Sequence, residues 1–283
     1  MLRLAAVVCV LLVIPAISQA QLAPEIGYLH PSGGRAGTTV DVVIGGYDWT
    51  PDMQILMHDP RIKLEITGAP SGVLVPEPPY WFGLKARGPA WPCPREIPAR
   101  LTIPADVAPG LILWQVANAN GISPVGALHV SNVPEILEAD ASTSPQALPA
   151  LPVTVSGQIK KIEEVDRYQF KATKSGPITV ELIARQLKSP LHAMLRVLDS
   201  KGRTIVDTAD TPGRDLLVTF RAEANESYVV ALHDLDYAGD RSYCYRLSLT
   251  EAPRVLATYP AAGKRGETRK IEFILDQGNG NES

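Results

Sequence analysis

Cysteine is nearly absent from this 283-residue chain, with three in all. Cys9 falls in the amino-terminal apolar run, so only Cys93 and Cys244 stand in the body of the sequence. Two are too few to staple a fold. They fall in different modules as read below and are taken as isolated thiols, since pairing them would need the modules packed face to face. Aromatic residues make up 6% and the net charge is −3, which excludes both a basic nucleic-acid surface and an acidic disordered tail. None of the five histidines, His30, His58, His129, His192 and His233, forms the paired spacing of a zinc protease. The stretch Gly121-Ile122-Ser123-Pro124-Val125-Gly126 lacks the tight spacing of a serine-hydrolase elbow and precedes a strand. Gly33-Gly34-x-x-Gly37 has no helix after it to cradle a phosphate. Helical period is missing over any useful length. With no catalytic constellation in sight, the chain reads as non-enzymatic.

What is present begins with a leader. Arg3 supplies a short basic start, Leu4 to Ile14 form an apolar run too short to span a bilayer, and Ser18-Gln19-Ala20 offers small residues for cleavage. Residues 1–20 therefore read as a signal peptide, and the mature protein as secreted, periplasmic or cell-surface, with no membrane span. The 25 prolines cluster between short apolar runs, as in an all-β chain of many strands and turns.

Two stretches open alike. Pro24-Glu25-Ile26 … Pro31-Ser32-Gly33-Gly34-Arg35-Ala36-Gly37-Thr38-Thr39 returns 229 residues later as Pro253-Arg254-Val255 … Pro260-Ala261-Ala262-Gly263-Lys264-Arg265-Gly266-Glu267-Thr268. A repeated module start with a different module between the copies describes an array. The expectation is two β-sandwich domains, at 24–131 and 153–250, separated by an extended linker at 132–152. After them, 251–283 reads as an incomplete repeat of the first domain or a disordered tail.

Within 24–131, strands are read at Thr38–Ile44, Arg100–Ile103, Leu111–Ala117 and Gly126–Val130, punctuated by Gly45-Gly46, Pro104, Pro109-Gly110 and Asn120-Gly121. After Asp48, Pro76-Glu77-Pro78-Pro79-Tyr80-Trp81-Phe82 and Trp91-Pro92-Cys93-Pro94 read as a long decorated loop. On Pro31-x-Gly33-Gly34-x-x-Gly37, Ile103-Pro104-Ala105 … Ala108-Pro109-Gly110 and Asn118-x-Asn120-Gly121-x-Ser123, this module resembles the IPT/TIG-type immunoglobulin-like domains. Within 153–250, seven candidate strands lie at Val153–Val155, Tyr168–Phe170, Ile178–Leu182, Met194–Leu198, Leu216–Phe220, Tyr228–Leu232 and Tyr243–Leu249. The ordered set Asp166-x-Tyr168-x-Phe170, Gly176, Leu195-x-Val197-Leu198-Asp199-x-x-Gly202, Tyr228 … Asp234 and Tyr243-x-Tyr245-x-Leu247 resembles the bacterial pre-peptidase C-terminal domain, which implies a jelly-roll-like sandwich. The pairing of the two module types resembles large exported proteins of planctomycete-type bacteria.

The second resemblance implies calcium near the linker, held by acids at alternate positions and backed by an acid near the first strand. The matching residues are Glu138 and Asp140, with Glu164 and Asp166 downstream. Ser142 and Thr143 stand where amide-type ligands would be, so a solvated linker with a turn acid is the competing reading. Asp234-x-Asp236-x-x-Gly239-Asp240 lacks a closing bidentate Glu and reads as a polar hairpin, and Asp207, Asp210 and Asp215 read as turn formers. The aromatic group Tyr80, Trp81, Phe82 and Trp91 is the candidate contact surface for a polysaccharide or an extracellular or cell-surface protein; roofing the sandwich is its alternative use. Trp49 and Trp114 are assigned to the core or its edge. The function expected is a non-catalytic exported binding or spacer protein. The alternative is the non-catalytic amino-terminal part of a secreted hydrolase or protease.

Overall fold

The computed structural model describes residues 23–72, 95–139, 144–209 and 215–278. Apart from one 3-10 turn at Arg185–Leu187, the regular structure among them is strand, as the alternating sequence pattern requires. Residues 1–20, expected to be a signal peptide, the aromatic group Tyr80, Trp81, Phe82 and Trp91, and also Cys93, Asp140, Ser142, Thr143 and Asp210, lie outside the described residues.

The first sandwich is built from β1 (Glu25–His30), β2 (Gly33–Arg35), β3 (Thr39–Tyr47), β4 (Gln54–Met57), β5 (Lys63–Ile66), β6 (Arg95–Thr102), β7 (Gly110–Asn118), β8 (Gly121–Ile122) and β9 (Gly126–Ser131). One sheet runs β1-β3-β6-β5; the other runs β2-β9-β7-β4, with β8 beside β7. Alternation sets which side chains meet between the sheets: Val42 and Ile44 on β3, Ile97, Ala99 and Leu101 on β6, Trp114 and Val116 on β7, and Leu128 and Val130 on β9 are all buried. Trp49 packs at the margin of this core. The decorated loop expected at Pro76–Phe82 and Trp91–Pro94 lies outside the described residues, while strands β4 and β5 fall after Asp48, where the sequence pattern marks no strand. Their four residues each are too few to show a period, and they are strands because β7 and β6 offer them edges.

The second sandwich contains β10 (Glu135–Leu137), β11 (Gln146–Ala147), β12 (Val153–Gln158), β13 (Asp166–Lys171), β14 (Gly176–Ile183), β15 (Ala193–Leu198), β16 (Thr204–Ala209), β17 (Leu216–Ala222), β18 (Ser227–Asp234) and β19 (Cys244–Thr250). Its sheets run β10-β12-β19-β14-β17 and β11-β13-β18-β15-β16. Between them lies a core that includes Tyr168, Phe170, Val180, Leu195, Phe220, Tyr228 and Leu247, in which Tyr228 stacks on Phe170 at 5.7 Å between centroids. The segment between the sandwiches supplies an added strand to each sheet: β10 pairs in parallel with β12, and β11 in parallel with β13.

Strands β20 (Arg254–Tyr259) and β21 (Glu272–Asp276) form a separate two-stranded hairpin. It reproduces the β1–β3 pair residue for residue at a shift of 229: Glu25↔Tyr47 becomes Arg254↔Asp276, His30↔Val43 becomes Tyr259↔Glu272, and the bulge between Ile26 and Tyr28 becomes one between Val255 and Ala257. Gly37 and Gly266 share a φ of 82°, a left-handed value that selects glycine. One pair has exchanged sizes. A Cβ on Gly45 would sit 2.1 Å from the Tyr28 ring, whereas the corresponding pair in the hairpin is Ala257 opposite Ile274.

Candidate functional site

The linker strand delivers the first acid. Leu137 lies beside Ser156, and the amide of Glu138 donates to the Ser156 carbonyl at 3.0 Å, which holds the Glu138 side chain over the end of β12. Its Oε2 accepts the Gln158 amide at 2.8 Å and lies 3.9 Å from Lys160 Nζ. Asp166 opens β13, is 8% exposed, and its Oδ2 accepts the Tyr245 hydroxyl at 2.5 Å. Tyr168 and Tyr245 are hydrogen-bonded through their own hydroxyls behind it. Glu164 Oε2 accepts the Lys161 amide at 2.8 Å, which closes the turn between β12 and β13.

Carboxylate oxygens of Glu138, Glu164 and Asp166 all lie within 4.8 Å of one another. Ionised together at that spacing they would repel by on the order of 4 kcal/mol per pair at an effective dielectric near 20. Burial, then the Glu138 charge, holds Asp166 well above the ordinary carboxylate range; burial also raises Glu138. Either a shared proton or a cation relieves such a cluster. The donors are all hard carboxylate oxygens without nitrogen or sulfur, the ligand type that hard cations such as calcium take. Three of the four acids singled out from sequence therefore converge; the fourth, Asp140, lies outside the described residues. No other group of three His, Cys, Asp or Glu side chains converges in this way among the described residues.

Asp234 and Asp215 do structural work. Asp234 Oδ1 accepts the amides of Asp236 and Ala238, each at 3.0 Å, while Oδ2 accepts the His192 amide at 2.9 Å. Asp215 accepts three successive amides, Ala184, Arg185 and Gln186, at 3.0, 2.8 and 3.1 Å, and so caps the 3-10 turn. Cys244 is free and buried, and burial pushes its thiol up to about 12, which leaves it inert.

A second polar constellation, invisible in the sequence, joins the two sandwiches. Arg246, 1% exposed, meets Glu135 through both terminal nitrogens and donates to Ser156 Oγ at 3.2 Å. Ser131, the last residue of β9, donates to Glu135 Oε1 at 2.5 Å. Nearby, Tyr28 Oη and Arg241 Nη1 both donate to Glu96 Oε1, at 2.5 and 2.9 Å. His30 and His129 have buried Nδ1 atoms without a partner. Burial, then the neighbouring Lys160 for His30 and Arg246 for His129, lowers each to about 4. A cavity of about 190 Å³ opens between Trp114, Tyr28 and Val125 on one side and Leu187 and Lys188 on the other. The available sequence signal was Arg246 itself, a lone cation in the apolar run of β19.

No known family's sequence profile matches the chain, and no curated protein matches it. Among solved structures, the chain is similar to the pre-peptidase C-terminal domain of a collagenase from Bacillus anthracis, with 13% identity and a TM-score of 0.32 over 40% of this chain and 100% of that one. It is also similar to the secreted serine protease VesC from Vibrio cholerae, with 10% identity and a TM-score of 0.26 over 77% of this chain and 48% of that one, so it spans about half of VesC. A third neighbour is the Bacteroides ovatus glucan-utilization protein SGBP-B, solved with a mixed-linkage heptasaccharide, at 9% identity and a TM-score of 0.22 over 77% of this chain and 71% of that one.

Proposed function

We propose that this chain is a non-catalytic binding and spacing protein that works outside the cytoplasmic membrane. The observation that carries the reading is the junction: the segment between the sandwiches is built into both sheets of the second one and pinned by Arg246 and Glu135. Two sandwiches fixed in this way present a surface at a set angle, which is what a presenting arm requires. Calcium held by Glu138, Glu164 and Asp166, with Asp140 from the same linker, would neutralise the acids where the linker meets the second sandwich and stiffen that joint. Tyr80, Trp81, Phe82 and Trp91 are the contact residues for a polysaccharide or protein partner.

The test is binding of the purified mature chain to immobilised polysaccharides and cell-wall fractions. Trp81→Ala with Trp91→Ala should weaken retention at least tenfold with an unchanged melting temperature. Equal retention by the variant would remove the aromatic surface from the reading; release of cleaved sugar or peptide would overturn its non-catalytic part.

A further inference from the structure

The face that the second sandwich turns to the first is polar. Alternation puts Val155, Tyr245, Leu247 and Leu249 into its core. It leaves Thr154, Ser156 and Gln158 of β12 and Cys244 and Arg246 of β19 on the outside of that sheet, yet all five are buried. Strand β1 of the first sandwich packs against β12 and β19, and β9 against the 3-10 turn. Where apolar side chains do face one another, Val125 and Leu187 border the cavity of about 190 Å³, so space stands where a core would close. The sandwiches are therefore held more by charge and hydrogen bonds than by apolar contact. Only Asn132, Val133 and Pro134 separate β9 from β10.

Two imidazoles stand on the first sandwich's side of this joint, His30 at the end of β1 and His129 in β9. The cations beside them belong to the second sandwich: Lys160 for His30 and Arg246 for His129. The acids beside them are already engaged, Glu96 by Tyr28 and Arg241, and Glu135 by Ser131 and Arg246. The other charges on the packed elements are Glu25 on β1, Arg35 on β2, Asp41 on β3, which is bonded to Arg100, and Arg185 and Lys188 in the 3-10 turn that Asp215 caps; β7 and β12 carry none. We propose that the joint is an acid-released latch, in which protonation of His30 and His129 lets the two sandwiches part as folded bodies about Asn132 and Val133. Each proton adds a donor at a buried Nδ1 where no acceptor waits and sets two positive charges against each other across the joint; parting returns both to water. The neutral rings favour the docked form, and docking lowers both to about 4 from the ordinary value near 6.5. Docking strength is therefore full above that ordinary value, and the histidine contribution is lost as pH falls through the interval to about 4. The arm is rigid at neutral pH and jointed in acid, and the latch rests on the joint alone, not on calcium or on any ligand.

Cys244 reports the parting, because its thiol is 2% exposed on the outer face of β19 and lies against Ser32 of the first sandwich. The mature chain carrying Cys93→Ser, in chelator, is treated with 4,4′-dithiodipyridine, which labels thiols in acid as well as at neutrality. Its rate, referred to that of free cysteine, should rise at least about tenfold between roughly pH 7.5 and pH 4. Over the same range the far-UV spectrum should stay unchanged while the maximum dimension in small-angle scattering grows. His30→Asn with His129→Asn should keep Cys244 protected at the acid end. Lys160→Gln spares both rings and removes the cation facing His30, so it should move the labelling midpoint to lower pH. Three results overturn the inference: Cys244 protected to the acid limit, labelling that rises only as the far-UV signal is lost, or a midpoint that neither variant shifts.

Discussion

At the scale of single residues, the fold turns on pairs that sequence separation conceals. Gly45 exists to admit the Tyr28 ring, and Tyr28 in turn delivers its hydroxyl to Glu96 and through it to Arg241. Gly45→Ile should cost the first sandwich more than 3 kcal/mol (~3 kcal/mol being typical of severe overpacking), read as a fall in denaturant midpoint. Adding Tyr28→Ala, which copies the Ala257 and Ile274 arrangement of the hairpin, should return part of that loss as a favourable coupling energy. Arg246 is the other sensitive point. Truncation to Ala strands Glu135 in the junction and should cost about 3–5 kcal/mol, whereas Arg246→Met with Glu135→Leu should be close to neutral. A thermal melt of the single and double variants separates the two outcomes. Neither the Arg246 pairing nor the Tyr28 contact was legible in the sequence, because each joins groups more than sixty residues apart. By contrast, Glu138, Glu164 and Asp166, which the structure brings within 4.8 Å of one another, could be named together from the sequence because the resemblance to the pre-peptidase C-terminal domain implies acids at those positions.

At the scale of elements, the strands legible in the sequence were those with one face buried. The alternation in β13, with Asp166, Tyr168 and Phe170 inward, and in β15, with Ala193, Leu195 and Val197 inward, leaves the reader little choice. Strand β16 escaped because it is a largely exposed sheet edge, with Ile205 at 44%. Strands β10 and β11 escaped because Ala-, Ser- and Pro-rich sequence gives no period, and their partners β12 and β13 supply the order from outside. This has a measurable consequence. The Glu138 amide, bonded to Ser156, should exchange with solvent only as the second sandwich opens; a tethering linker would exchange it within seconds. Amide exchange followed by mass spectrometry across 135–147 distinguishes them.

At the scale of the whole molecule, the junction and the acidic cluster respond to pH in opposite senses. Glu138 and Asp166 are raised in the folded state, so without metal their contribution is intact while they are protonated. It is lost as pH rises from the usual carboxylate value near 4 through neutrality. Calcium should therefore raise the melting temperature over chelator, by an amount that grows with pH over that interval, and Asp166→Asn should remove the difference. His30 and His129 are lowered to about 4, so their neutral forms favour the folded junction above about pH 6.5. That contribution declines as acid protonates them beside Lys160 and Arg246, with Glu96 and Glu135 offering partial compensation. In chelator the melting temperature should peak between the two limbs. His30→Asn with His129→Asn should flatten the acid limb alone.

The placement of β10 also fixes how the molecule would carry a mechanical load. Glu135 lies beside Thr154, and Thr154 beside Ser248, so the chain enters the second sandwich and leaves it at the same end of one sheet. The two points are separated by two strand spacings, about 10 Å. Tension between the first sandwich and the hairpin would travel across β10, β12 and β19 alone and would act to peel them apart, not to slide them. Most of the second sandwich hangs off that line of force as a side branch, and the Arg246–Glu135 pair stands where the peeling would begin.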